Sequence, residues 1–331
     1  MGEERDRTTA AGPQPRAAER ERYLALNDRV FALYGEERFS EALALVEDDE
    51  AFLPGWRSRT AYWKACLQSL VGRPDDALET LQVGLAAGLW WRPDWLVTEH
   101  DLEPLWNRRG FQQVVAESER RQAAANAGRP KRPRVLLLPP SGRPRGLLVA
   151  LHMYGATAEE SAPQWSPATE DGFLVCVPES TVVQADGHPC WDDDLVASRD
   201  VALAVEEAME SQPIGEALVI LAGASQGGMR AVEMTLRGRP VPARGFIGVV
   251  AGLADPDLVE QAGPAAARRG VRGWLLTGTV DAARQAVETL HAQLGEQEIP
   301  CRLDVLPDHG HTFPPDFPDR LRAALPSLTG G

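Results

Sequence analysis

The chain is short of cationic charge, of cysteine and of long apolar runs, and each shortage removes a class of function. Lys and Arg number 34 against 48 Asp and Glu, a formal net charge of −14. A surface of that sign repels phosphate backbones and anionic headgroups, so neither nucleic acid nor membrane is expected as a main partner. Cysteine occurs only at Cys66, Cys176, Cys190 and Cys301, with no metal-ligand spacing among them. Reduced thiols of a cytoplasmic protein are expected, and no metal. No run is apolar for long enough to span a bilayer, and the first residues lack the apolar core of a secretion signal. Neither a dinucleotide-binding glycine fingerprint nor a P-loop is present, so no cofactor is expected. Histidine is scarce as well, at positions 100, 152, 188, 291, 309 and 311, which leaves few candidates for any base.

What is present centres on Gly223-Ala224-Ser225-Gln226-Gly227, directly behind the apolar run Ala217 to Ala222 and ahead of the helical pattern Gly228 to Leu236. Strand, tight turn and helix are the context in which G-x-S-x-G forms a nucleophile elbow. The flanking glycines permit the turn, and Ser225 is expected in a strained conformation with its hydroxyl presented. A serine needs a base to take its proton and a carboxylate to orient that base. His309 and His311 lie in the loop after the strand Cys301 to Leu306. Asp281 follows the strand Trp274 to Thr277, where it serves equally well as a helix N-cap. Asp308 is its rival as the orienting acid, and Asp255 is a weaker one.

Two further segments carry a family likeness. Gly310-His311-Thr312-Phe313-Pro314 resembles the histidine loop of bacterial esterases, and His152-Met153-Tyr154-Gly155, after the strand run Gly146 to Leu151, resembles the H-G-x-G loop of α/β-hydrolases. With the elbow, residues Arg134 to Pro326 resemble an α/β-hydrolase over about three fifths of the chain. The resemblance implies the chain order Ser225, Asp281, His311, with His311 preferred to His309. It places the oxyanion-hole donors at the backbone N–H groups of Gln226 and Tyr154, with Met153 as the alternative to Tyr154. Met153 departs from the usual glycine, which puts the loop's geometry in question.

The strand candidates run Val135–Leu138, Leu147–Leu151, Phe173–Val177, Leu218–Leu221, Phe246–Val250, Trp274–Thr277 and Arg302–Leu306, with helical patterns between the later ones. They predict an α/β fold with a mostly parallel sheet covered by helices on both faces. The turn-rich segment from Pro139 to Arg145 has no room for a crossover helix, which predicts an antiparallel hairpin between the first two strands.

Residues 1–16 are charged and lack an apolar face, so disorder is expected there. From 17 to 126 the pattern is helical. Phe39-Ser40-Glu41-Ala42-Leu43 recurs 35 residues on as Pro74-Asp75-Asp76-Ala77-Leu78, close to the tetratricopeptide period. An all-α, TPR-like domain is therefore expected over 17–126, then a basic Pro-containing linker at 127–134, then the hydrolase domain at 135–331. The tryptophans at 56, 63, 90, 91, 95 and 106 are expected to fill the helical core and the face against the neighbouring domain, or else to form a docking groove. A chain starting near Lys131 is expected to keep its reactive serine.

The loop from Pro178 to Asp194 follows a strand end and is expected to overhang the site. Trp191 is a candidate wall of an acyl pocket. Glu179 and Asp192 to Asp194 are candidates for meeting a polar group, or for capping the helix that follows. No large cap insertion interrupts the hydrolase part, so an open site is expected. The reading is a serine hydrolase of a small-molecule carboxylic ester or thioester. Two alternatives stand beside it: an inactive scaffold whose TPR-like helices engage a protein partner, and a serine peptidase.

Overall fold

In a computed structural model, residues 15–212, 214, 218–253, 255 and 257–329 are described. The disorder expected over 1–16 falls mostly outside them, although Pro15 and Arg16 already open the first helix. That helix, α1 (Pro15–Gly35), is followed by α2 (Phe39–Asp49), α3 (Arg57–Leu70), α4 (Pro74–Ala86), the short α5 (Pro93–Thr98) and α6 (Arg109–Ala127). The recurring motif marks the starts of α2 and α4, and its small residues Ala42 and Ala77 are both fully buried. Trp56, Trp63 and Trp91 lie in the core of this helical layer, with Trp95 and Trp106 packed against it.

The second layer alternates strands and helices: β1 (Arg134–Leu138), β2 (Gly146–Leu151), α7 (Ala158–Trp165), β3 (Phe173–Glu179), α8 (Asp194–Ser211), β4 (Leu218–Ala224) and α9 (Gln226–Arg237). Then come β5 (Gly245–Val249), α10 (Leu258–Arg268), β6 (Arg272–Gly278), α11 (Arg284–Glu296), β7 (Cys301–Leu306) and α12 (Phe317–Thr329). The strands form one sheet in the order β1-β3-β2-β4-β5-β6-β7, parallel except for β1, which is the α/β-hydrolase arrangement. The period of two along β2 divides the core. Leu148 and Ala150 face α7 and α12, whereas Leu147, Val149 and Leu151 face α8 and α9.

The hairpin expected between the first two strands does not form. β1 is antiparallel, but its partner is β3 (Arg134 opposite Glu179), and β2 lies between β3 and β4. The cause is burial. Every residue of β2 is buried, so it needs a neighbour on each side, while β1 is only partly covered and suits an edge. Gly146 allows the tight pairing, since a Cβ there would stand 2.6 Å from the Phe173 ring.

Candidate functional site

The chain turns sharply between β4 and α9, and Ser225 occupies that turn with φ 51° and ψ −123°, a region that L-residues rarely enter. Two glycines make the turn possible. A Cβ on Gly223 would lie 2.4 Å from the Gly227 carbonyl carbon, and one on Gly227 would lie 2.3 Å from the His152 carbonyl oxygen. Ser225 N donates to Val249 O at 2.8 Å, which ties the turn to β5.

The imidazole of His311 reaches this serine from the loop after β7. Its Nε2 lies 2.7 Å from Ser225 Oγ, and its Nδ1 lies 2.7 Å from Asp281 Oδ1. Asp281 comes from the turn after β6. Its Oδ2 accepts from Thr277 Oγ1 at 2.7 Å, and its Oδ1 also accepts from Ala283 N at 2.9 Å. Burial alone would raise this carboxyl's pKa, but the hydrogen bond and charge of His311, with those two donors, hold it below the usual range. The N-cap reading of Asp281 is thus partly met as well, because the same carboxylate closes a turn before α11. That helix begins at Arg284, after the turn, rather than at the aspartate.

The competing residues lie elsewhere. His309 Nε2 is 2.8 Å from Thr312 O, and its own carbonyl accepts from Val280 N. Asp308 is exposed, and Asp255 pairs at 3.6 Å with Arg237.

The His152–Gly155 loop passes close to Ser225. The positive φ that Met153 would tolerate poorly falls instead on Gly155 (φ 74°). Neither Met153 nor Tyr154 is left-handed, so the departure at Met153 costs the loop nothing. His152 anchors the loop. Its Nε2 accepts from Ser180 N at 3.1 Å, so the proton sits on Nδ1 and is shared with Met153 O at 2.9 Å. Gln226, the first residue of α9, is held through its side chain. Its Oε1 accepts from Trp191 N at 2.8 Å, and its Nε2 donates to Asp192 at 2.6 Å.

Burial pushes His152 down from 6.5 to about 4. Between those values the unfolded chain takes up a proton that the folded chain refuses, so stability is full above the upper value and falls with acidification. The expected loss is about 3 kcal/mol by the lower value. Denaturation midpoints measured from neutral pH downward should therefore fall less steeply in His152→Gln than in the wild type. Parallel profiles would count against this.

Two expectations about access need correction. Trp191 does not wall the site. It is fully buried, packs among α8 and α9 residues, and donates its indole N–H to His152 O at 2.9 Å. An indole N–H must find a buried acceptor, and the one available lies beneath the loop rather than in the cavity. The acids of the same segment are structural too. Asp193 caps α8 by accepting from Val196 N, Glu179 accepts from Ala158 N, and Asp194 pairs with Arg230.

The site is also less open than expected, because α1 and α3 wall one side of it. A cavity of about 380 Å³ holds Ser225, His311, Met153 and Tyr154 on one side. Tyr23, Asn27 and Phe31 of α1 and Arg59 of α3 stand on the other. Asp28 Oδ2 accepts from the backbone N of His311 at 3.2 Å. Trp56 stacks on His188 at 4.1 Å and lies over Gly155, where a Cβ would be 2.6 Å from its ring. The truncation expected to leave the serine unaffected would therefore remove one wall of the cavity and a contact to the histidine loop. Among the described residues, Cys66, Glu99 and Asp101 bring potential ligand atoms within 4.8 Å of one another. Burial raises the Cys66 thiol well above its ordinary value, while Tyr62 and Tyr34 donate to the two acids. That is a hydrogen-bonded cluster away from Ser225.

Residues 22–126 match the family described as A/B hydrolase-like, N-terminal domain. An uncharacterized protein from Bacillus cereus ATCC 10987 superposes with a TM-score of 0.52 at 20% identity, over 92% of this chain and 98% of that one. Esterase PE8 aligns at 23% identity and a TM-score of 0.48, over 60% of this chain and 99% of its own. Acyl-protein thioesterase 2 of Zea mays aligns at 19% identity and a TM-score of 0.46, over 59% and 98%. No curated protein matches the sequence.

Proposed function

We propose that this chain, an α/β-hydrolase fold under a helical layer, is a serine hydrolase that cleaves a carboxylic ester or thioester through an acyl-enzyme. The observation that carries the reading is the unbroken chain Ser225 Oγ, His311 Nε2, His311 Nδ1, Asp281 Oδ1, with 2.7 Å at each end. His311 takes the Ser225 proton as Oγ attacks the acyl carbon, and Asp281, ionised, holds the imidazole and stabilises its cation. The oxyanion faces the backbone N–H groups of Gln226, at the positive end of α9, and of Tyr154. Collapse passes the proton from His311 to the departing alkoxide or thiolate. Water then repeats the sequence on the acyl group and restores Ser225. The test is labelling by a fluorophosphonate: stoichiometric modification mapping to Ser225 is expected, and an unlabelled, folded protein would overturn the reading.

Asp28 is a positioning residue in this scheme, since it holds the His311 backbone and touches no reacting atom. Asp28→Ala should lower kcat by roughly tenfold to a hundredfold through a loosened histidine loop, with little change in KM. Unchanged turnover would show that the loop holds its place without help from α1.

A further inference from the structure

The cavity beside Ser225 is lined by a cation that has no carboxylate among the described residues in contact with it. Arg59 projects from α3 among the rings of Trp63, Trp95 and Tyr154, at 5.7, 5.2 and 5.5 Å from their centroids. Its Nε is buried without a hydrogen-bond partner and no carboxylate among the described residues is ion-paired with it, so the Tyr23 hydroxyl, bonded to the guanidinium, and the more distant charge of Asp192 are what it has. Asp192, the acid on the strand-exit loop, is already engaged by Arg92 and Gln226. Glu99 and Asp101 line an adjoining cavity that also includes Arg59, and they are occupied by Tyr62 and Tyr34. A guanidinium stays protonated under all ordinary conditions, and holding one partly buried without a carboxylate partner is costly. In a chain of net charge −14, that cost is retained at the wall facing the nucleophile, where no acid among the described residues lines the cavity.

We infer that Arg59 is the anchor for a carboxylate carried by the substrate, so that the site takes esters with an anionic group a few atoms from the scissile bond. The inference rests on the ester-hydrolase reading above. A planar guanidinium binds a carboxylate through paired N–H donors, and the surrounding aromatic rings exclude the water that would screen the pair. Tyr154 lies between the two functions, with its ring beside Arg59 and its backbone in the loop proposed to face the oxyanion. An anchored anion would therefore place the acyl carbon relative to Ser225.

The test compares matched esters that differ only in charge. Mono-p-nitrophenyl glutarate is set against p-nitrophenyl pentanoate for an acyl-side anion, and 4-carboxyphenyl butyrate against phenyl butyrate for a leaving-group anion. In the wild type, kcat/KM for the charged member of one pair should exceed that of its neutral partner by about 10- to 100-fold. Arg59→Met should abolish that preference, and Arg59→Lys should restore part of it. A purely structural arginine would change both members of a pair alike. Wild-type protein with no preference in either pair, or a preference that survives Arg59→Met, overturns the anchor while leaving the hydrolase intact. Calorimetric titration of glutarate into Ser225→Ala protein reads the anchor without turnover. Binding that disappears in the Ser225→Ala, Arg59→Met double variant supports the anchor even if no ester is cleaved, and absence of both binding and hydrolysis overturns it.

Discussion

Ser225→Ala should lower kcat for a model ester by about 10⁴- to 10⁶-fold while leaving the protein folded. Its hydroxyl makes a hydrogen bond to His311, so removing it costs chemistry rather than packing. His311→Ala should cause a loss of the same order, and the double variant should be no worse than either single one, because the three side chains act as a unit. His309→Ala should cost far less, since that ring is bonded to Thr312 O on an exposed stretch of the loop. Steady-state assays on one ester decide the matter. An active Ser225→Ala protein, or a silent His309→Ala beside an active His311→Ala, would require the roles to be reassigned.

Gly227→Ala should be among the most damaging changes that remove no functional group. The added methyl would sit 2.3 Å from His152 O and 2.4 Å from Leu151 O. Both are backbone atoms at the end of a fully buried strand, so neither can turn aside as a side chain would. A loss of about 3 kcal/mol or more is expected from the forced separation of β2 and α9. Gly142→Ala is the control: a Cβ there meets nothing within 4 Å and its φ is not positive, so its stability should change by less than about 0.5 kcal/mol. Chemical denaturation of the two variants measures the contrast, and similar midpoints would mean that the elbow is softer than its geometry implies.

The sequence made the linear part of this arrangement legible. The seven strands are readable from apolar runs bounded by turns and Ser225 from its place at a strand end, whereas His311 is singled out from His309, and Asp281 from Asp308, only by the likeness to a hydrolase family. What stayed hidden depends on distances across the chain. The partner of β1 is set by which strand has a free edge, and nothing within Arg134 to Leu138 records that. The sequence does not place Trp191, because an indole in a loop after a strand reads the same whether it faces the cavity or lies beneath it. The wall formed by α1 and α3 is illegible for a related reason. Asp28 and Arg59 are ordinary polar residues of amphipathic helices, and only the packing of those helices on the second layer brings them to the serine and its base. The clustered tryptophans were the one available hint. Trp56 does reach the far layer, as a stack on His188 rather than as a docking groove.

The bond between Asp28 and His311 joins residues 283 apart in sequence. A ribosome therefore releases the wall of this cavity first, the serine much later, and the base last of the three. The helical layer, with a core of its own, can collapse while the strands are still being made. Ser225 meanwhile remains an ordinary alcohol, since the loop that would take its proton follows β7. Long-range closures of this kind form slowly and late. A chain released early would thus carry the elbow without its chemistry, and activity in a refolding experiment should appear as the final event, after the helical signal has returned.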